Sequence, residues 1–147
     1  MKIAIAADHG GYKLKELLKK HLKDRGIEVK DFGAHSLDKA DDYPDFAFPA
    51  AKSVSQGESD AGILVCTSGI GMSIVANKVK GVRAALAMDP ESARSARSHN
   101  NANVLTLPGD GKVSEDVAIK IVDIYLDTNF EGGRHQRRVG KIHEEGL

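Results

Sequence analysis

Thiols, an excess of either charge and long apolar runs are what this sequence lacks. One cysteine among 147 residues leaves no disulfide within the chain and no dithiol redox pair. A lone thiol fits a reducing compartment. Lysine plus arginine and aspartate plus glutamate both number 21, so net charge gives no reason to expect a nucleic-acid or membrane partner. The apolar opening, Met1 to Ala7, is too short for a signal peptide and is interrupted by Asp8. No stretch approaches the length of a membrane span. Six histidines show no H-x-x-x-H or comparable spacing, and no metal is expected. There is no internal repeat, linker or low-complexity segment. What these absences leave is a cytoplasmic protein with one domain over residues 1–147, long enough to bury a sizeable core.

What is present is an alternation of two periods. Ile3 to Ala7 reads as a buried strand, and Tyr12 to Lys23 carries Leu14, Leu17, Leu18 and Leu22 at helical spacing. Gly26 ends that helix. Ile27 to Phe32 alternates as an exposed edge strand would, and Gly33 to Asp42 is a polar loop. Tyr43 to Gln56 reads as a helix, with Pro49 an irregularity inside it. Further strands are expected at Ala61–Val65, Val82–Ala87 and Asn103–Leu107. Helices are expected at Ile70–Val79, from Pro90 to about Ser98, and at Ser114–Leu126. The tail from Glu131 is basic, then acidic, and helical from Arg134. Strands alternating with helices imply an α/β protein: a three-layer, Rossmann-like fold with a five-stranded parallel sheet covered on both faces. Ligands of such sheets sit outside the carboxyl ends of the strands. Two loops there carry polar chemistry, Asp8-His9-Gly10-Gly11 and Cys66 to Gly71.

The second loop is the more informative. Ile63-Leu64-Val65 ends in Cys66, and Thr67-Ser68-Gly69-Ile70-Gly71 follows before a helix. A strand feeding a tight turn and a helix N-terminus aims backbone N–H groups at one spot and favours negative charge there. The thiolate is the form of a cysteine that such a place stabilises. A cysteine phosphatase needs an arginine six positions after the cysteine, where this chain has Met72. A dinucleotide-binding G-x-G-x-x-G would begin at Gly69-Ile70-Gly71, but Ile74 holds the third glycine position and the match lies in the wrong βαβ unit. A thiol beside an oxyanion-stabilising turn suits proton abstraction next to a carbonyl, with N–H donors fixed where the enediolate charge develops.

Five motifs in order extend this reading: Asp8-His9-Gly10-Gly11, Tyr43-Pro44-Asp45, Cys66 to Ser73, Ser98-His99-Asn100, and Gly132-Gly133-Arg134-His135-Gln136-Arg137-Arg138. Together they resemble type B ribose-5-phosphate isomerase, in a group that includes the galactose-6-phosphate and allose-6-phosphate isomerases. The resemblance runs from the first strand to the basic tail. It implies an aldose–ketose isomerase that acts on a sugar phosphate without metal or organic cofactor. Cys66 matches the general base, which removes the C2 proton of ribose 5-phosphate on the way to ribulose 5-phosphate. The turn Thr67, Ser68, Gly69, Ile70 and Gly71 would hold the enediolate oxygens. His99 matches the residue that opens the furanose ring, with Asp8 nearby. Asn100 matches a ligand-binding position, and His9, Arg134 and Arg138 match phosphate-binding positions. Where the family often has Gly-Thr, this chain has Thr67-Ser68. Where it often has an arginine after the fifth strand, this chain has Gly109-Asp110-Gly111-Lys112.

Each residue also has a plainer role open to it. Cys66 could be a small buried hydrophobe, Asp8 a helix cap, His9 and His99 loop residues, and the arginines a solvated face. The glycines could merely permit a turn. Hexose-phosphate isomerase and non-catalytic sugar-phosphate binder are the alternative functions, since fold alone separates none of these. One geometric expectation concerns assembly. Cys66 ends a strand at the carboxyl edge, whereas a nine-residue helix carries His99 roughly 13 Å toward the other edge. A homodimer, or a tetramer built from such dimers, could bring His99 of one chain over Cys66 of the other.

Overall fold

The computed structural model describes residues 1–147. The chain runs β1 (Lys2–Ala7), α1 (Tyr12–Asp24), β2 (Glu28–Asp31), α2 (Tyr43–Ser55), β3 (Ala61–Cys66), α3 (Ile70–Ala76), β4 (Ala84–Leu86), α4 (Pro90–Ser98), β5 (Val104–Pro108), α5 (Glu115–Asp127) and α6 (Arg134–Glu145). The five strands form one sheet in the order β2-β1-β3-β5-β4, and every pairing is parallel. This is the expected α/β architecture.

The three central strands are apolar because both their faces are covered. Ile3, Ile5, Ile63, Val65, Leu105 and Leu107 pack with Leu14, Leu18 and Leu22 of α1 and Ile121, Val122 and Tyr125 of α5. Alternate residues, Ala4, Ala6, Leu64, Cys66 and Val104, pack with Ala47, Ala50, Ala51 and Val54 of α2 and Met72, Val75 and Ala76 of α3. The second face is built largely of alanines, which lets α2 lie close to the sheet. β2 and β4 are edges, and their side chains are only partly buried.

Two elements differ from the pattern expected of the sequence. α3 ends at Ala76, short of Val79: the N–H groups of Lys78 and Val79 bond three residues back, closing the helix in tight turns. β4 shrinks to Ala84–Leu86 because it pairs on one side only. Pro49 lies inside an unbroken α2 on its exposed face. There the carbonyl left without its helical donor can meet water.

The order of the strands positions the site. From β1 the chain steps outward to β2 and then returns to pair β3 on the other flank of β1. The loops after β1 and β3 therefore leave the carboxyl edge side by side, at the switch point where open α/β sheets bind ligands. Their contact is close. A Cβ on Gly10 would collide with the Thr67 hydroxyl, and one on Gly11 with the Val65 carbonyl. Thr67 itself is not in the left-handed region; Gly69 supplies that turn, at φ 77°.

Candidate active site

Cys66, the last residue of β3, is 4% exposed. Its thiol looks into a cavity of about 380 Å³ lined by Asp8, Tyr43, Cys66, Thr67, Ser68, Ile70, Gly71 and Ile74. The Gly69 N–H donates to Cys66 Sγ at 3.2 Å, and the Ile70 N–H donates to Ser68 Oγ at 3.2 Å. The sulfur thus has a fixed backbone donor, which the left-handed Gly69 makes possible. A Cβ on Gly69 would lie 2.6 Å from Leu86 Cδ1 and 2.9 Å from the Leu107 carbonyl carbon, so glycine is needed for space as well as for φ.

Asp8 is not the N-cap of α1, which is Gly11; it closes the turn before that helix and lines the cavity. Its Oδ1 accepts from the N–H groups of Gly10 and Gly11 at 2.9 and 3.2 Å. Burial raises its carboxyl above the ordinary value, against the backbone donors and the nearby His9, which pull it down. His9 sits beside it, with its ring Nδ1 on Asp41 Oδ1 at 2.6 Å. The hydrogen bond to Asp41 raises the imidazole above its usual range.

The remaining matched residues lie elsewhere in the chain. Cys66 pairs with Pro108 at the end of β5, whereas His99 and Asn100 precede its first residue, Val104. Four strand residues separate the two ends, roughly 13 Å at ~3.3 Å each. His99, an exposed residue, caps α4 and stacks on His135 of α6, with centroids 4.4 Å apart and planes 11° from parallel. Its Nε2 is 3.2 Å from Glu131. Arg134 and Arg138 are exposed on the same helix as His135, and their charges act on its ring. Asn100 lines a second, larger cavity of about 560 Å³, walled by β4, α4 and the end of α6. That cavity is lined by neither Cys66 nor an acidic side chain, whereas the smaller one holds both Cys66 and Asp8. The chain thus brings Asp8, His9, Cys66, Thr67, Ser68, Gly69, Ile70 and Gly71 to one edge. It gathers His99, Asn100, Arg134 and Arg138 near the other.

Comparison with known proteins gives the family. Residues 3–142 match the family model described as Ribose/Galactose Isomerase. The chain is 50% identical over 141 residues to a probable ribose-5-phosphate isomerase B of Mycoplasma genitalium, covering 95% of this chain and 92% of the relative. It is 46% identical over 141 residues to ribose-5-phosphate isomerase B of Escherichia coli, covering 96% and 93%. The ribose-5-phosphate isomerase B structure from Clostridium thermocellum superimposes with a TM-score of 0.96 at 50% identity, over 99% of this chain and 97% of that one. The Mycoplasma genitalium enzyme with bound ribulose-5-phosphate gives 0.94 at 49% identity, over 98% and 95%. The chain belongs to the ribose/galactose isomerase family.

Within this family member, two groups of side chains come close enough to suggest a metal, though no sequence spacing announced them. One is Asp8, His9 and Asp41; the other is His99, Glu131 and His135. In the first, the His9 ring nitrogen nearest the acids is already committed to Asp41. In the second, the stacked rings oppose chelation. A metal ~2.0–2.1 Å from both nitrogens could lie in the plane of only one ring, and Arg134 and Arg138 add positive charge nearby. Neither group fits a metal well. Two residues of the site escaped the sequence reading. Tyr43 closes the cavity, its ring 2.8 Å from where a Cβ on Gly71 would sit. Asp41 holds His9. Tyr43 stood in a quoted motif but had no assigned chemistry, and Asp41 was one acid among several in a polar loop.

Proposed function

We propose that this chain is an aldose–ketose isomerase that interconverts ribose 5-phosphate and ribulose 5-phosphate. The observation that carries the reading is the cavity that joins the buried Cys66 thiol, its Gly69 N–H donor and the Asp8 carboxyl in one place. The family and the relatives named ribose-5-phosphate isomerase B, one structure holding ribulose-5-phosphate, support the pentose substrate over a hexose.

In the proposed mechanism, Cys66 as thiolate takes the C2 proton of the open-chain aldose. The electron pair moves into the C1–C2 bond, and the carbonyl oxygen becomes an enediolate held by the turn from Thr67 to Gly71. A proton then passes from O2 to O1, which moves the charge to O2, and return of the proton from the Cys66 thiol to C1 forms the C2 carbonyl of the ketose. His99 opens the furanose ring by moving a proton between ring oxygen and O1. Asp8 lies beside the reacting carbons, Asn100 contacts the sugar, and His9, Arg134 and Arg138 take the phosphate.

The separation of Cys66 from His99 supports a homodimer in which each site draws its second half from the partner chain. Exposed Ile70 and Ile74 at the rim of the cavity are suited to meet that partner. No helix of this chain is long and apolar enough to cross a membrane. A cytoplasmic place agrees with the lone free thiol.

The test is deuterium uptake at C2 of ribose 5-phosphate in heavy water. Native protein should exchange and isomerise. Cys66→Ala should lose both by about 10²–10⁴-fold, the usual range for a general base. Substantial exchange in Cys66→Ala would remove Cys66 from the role. Binding without exchange in the native protein would leave only a sugar-phosphate binder.

A further inference from the structure

We propose that Asp41 is a positioning residue for the phosphate end of the site: it fixes His9 as an imidazolium whose remaining N–H is left to donate to the substrate phosphate. The inference rests on the isomerase reading above and names a residue outside the matched motifs.

One oxygen of Asp41 accepts twice from the same residue. Oδ1 takes the His9 backbone N–H at 3.0 Å and the ring Nδ1–H at 2.6 Å. Clamping both backbone and ring leaves the imidazole little rotational freedom. With Nδ1 committed, Nε2 is the nitrogen available to a ligand. The His9 side chain is 35% exposed and reachable, whereas that of Asp41 is 9% exposed. Oδ2 of Asp41 is buried without a partner, and His9 is the only cationic side chain paired with this carboxylate. A buried carboxylate needs a counter-charge, and here only a protonated His9 can supply it.

The surroundings favour the same state. The hydrogen bond to Asp41 does most to hold the proton on His9, and the nearby acidic Asp8, Asp41 and Asp38 add to it against the opposing effect of burial. An imidazolium donor to a phosphate forms a charge-assisted bond, roughly twice as strong as a neutral one. Asp41 is absent from the residues lining the Cys66 cavity, so its loss should affect the grip on substrate more than the proton transfer.

The experiment compares native protein with Asp41→Asn, Asp41→Glu, His9→Gln and the Asp41→Asn/His9→Gln double variant. First, ¹⁵N–¹H NMR follows His9 from pH 5 to 9, with and without inorganic phosphate as probe. Native His9 should remain protonated through neutral pH, with Nδ1–H bonded and Nε2–H shifted by phosphate. In Asp41→Asn its titration should move to lower pH. Second, KM for ribose 5-phosphate at pH 8 should rise about 10–100-fold in Asp41→Asn, with kcat changed less than about 3-fold. Much of that loss should return at pH 6, where the variant's His9 regains its proton. Asp41→Glu should recover part of it at pH 8, and the double variant should be no worse than His9→Gln. A neutral His9 in native protein at pH 7, or an Asp41→Asn defect as large at pH 6 as at pH 8, would overturn the proposal. The NMR titration needs no turnover. Native protein inactive on ribose 5-phosphate, yet with His9 protonated and shifted by phosphate, would sink the isomerase reading and leave the Asp41–His9 pair standing.

Discussion

Two inactive variants should restore one another. Cys66→Ala removes the proposed base at the end of β3, and His99→Ala removes the proposed ring-opening residue at the end of α4. Each homodimer should be nearly inactive on cyclic ribose 5-phosphate. The register of the sheet supplies the reasoning: Cys66 is level with Pro108, while His99 lies before the start of β5. Four residues of strand put the two roughly 13 Å apart along the sheet, too far to act on one sugar within a chain. If the variants are unfolded and refolded together at equal concentration, random pairing makes about half the dimers mixed. A mixed dimer has one site with both residues intact and one with neither. Activity should therefore recover to roughly a quarter of native on a per-dimer basis. Differently tagged chains allow the mixed species to be purified, and it should then show about half of native activity. A mixed dimer as inactive as its parents would place both residues of each site in one chain. The separation just worked would then be no argument for a shared site.

Two further outcomes follow from the structure. Arg134 and Arg138 stand about 40° apart around α6, while Arg137 is about 100° from Arg138. Arg134→Ala and Arg138→Ala should each raise KM for ribose 5-phosphate by about 10-fold or more, and Arg137→Ala should change it little; equal effects from all three would indicate only general attraction. Beneath β2, the fully buried Lys15 donates to both oxygens of Asp31, at 2.9 and 2.8 Å, and to the Ala34 carbonyl at 2.7 Å. Burial works against the Asp31 carboxylate, but Lys15 and Lys19 outweigh it and hold the group at about 2. A depressed carboxyl stabilises the fold above its unfolded value near 4 and loses that contribution as pH falls toward 2. Asp31→Asn should cost about 3 kcal/mol in urea denaturation at pH 7, because it leaves Lys15 buried beside a neutral group. That gap should narrow between pH 4 and 2; a gap constant to pH 2.5 would show that the pair is not what holds Asp31 ionised.

The strands and helices were legible because their signals are local. Leu14, Leu18 and Leu22 face one way only on a helix, and the unbroken apolar runs Ile3–Ala7 and Ile63–Cys66, with Ala4, Ala6 and Leu64 on the second face, fit a strand covered on both sides. The ends were less legible. Lys78 and Val79 continue a helical pattern in sequence, yet tight turns close α3 at Ala76. The cavity was legible in its Cys66 half, since a strand, a turn and a glycine lie in one run of sequence. The separation of His99 from Cys66 was legible from length alone, as nine helical residues have a fixed rise.

Asp41 and Tyr43 were not legible, because their roles depend on which loops the sheet order sets side by side. The polar loop before α2 returns toward β1 only because β2 pairs on the outer flank of β1. From the sequence, Asp38, Asp41 and Asp42 are equivalent acids on a solvated loop. In the fold they separate: Asp42 is exposed at the N-cap of α2, Asp38 makes an exposed turn with Ala40, and Asp41 reaches His9. The family motifs name the residues that face a sugar phosphate. What holds those residues in the right rotamer and charge is set by packing between segments far apart in sequence: 32 residues separate His9 from Asp41. Arg134, Arg138 and His99 pose the same problem one level up, since the segments that must meet belong to two chains in the proposed dimer. A single chain can display half of such a site in full detail, while the residues proposed for the other half lie near the opposite edge of the same sheet, where the proposed dimer would set them over the partner's cysteine.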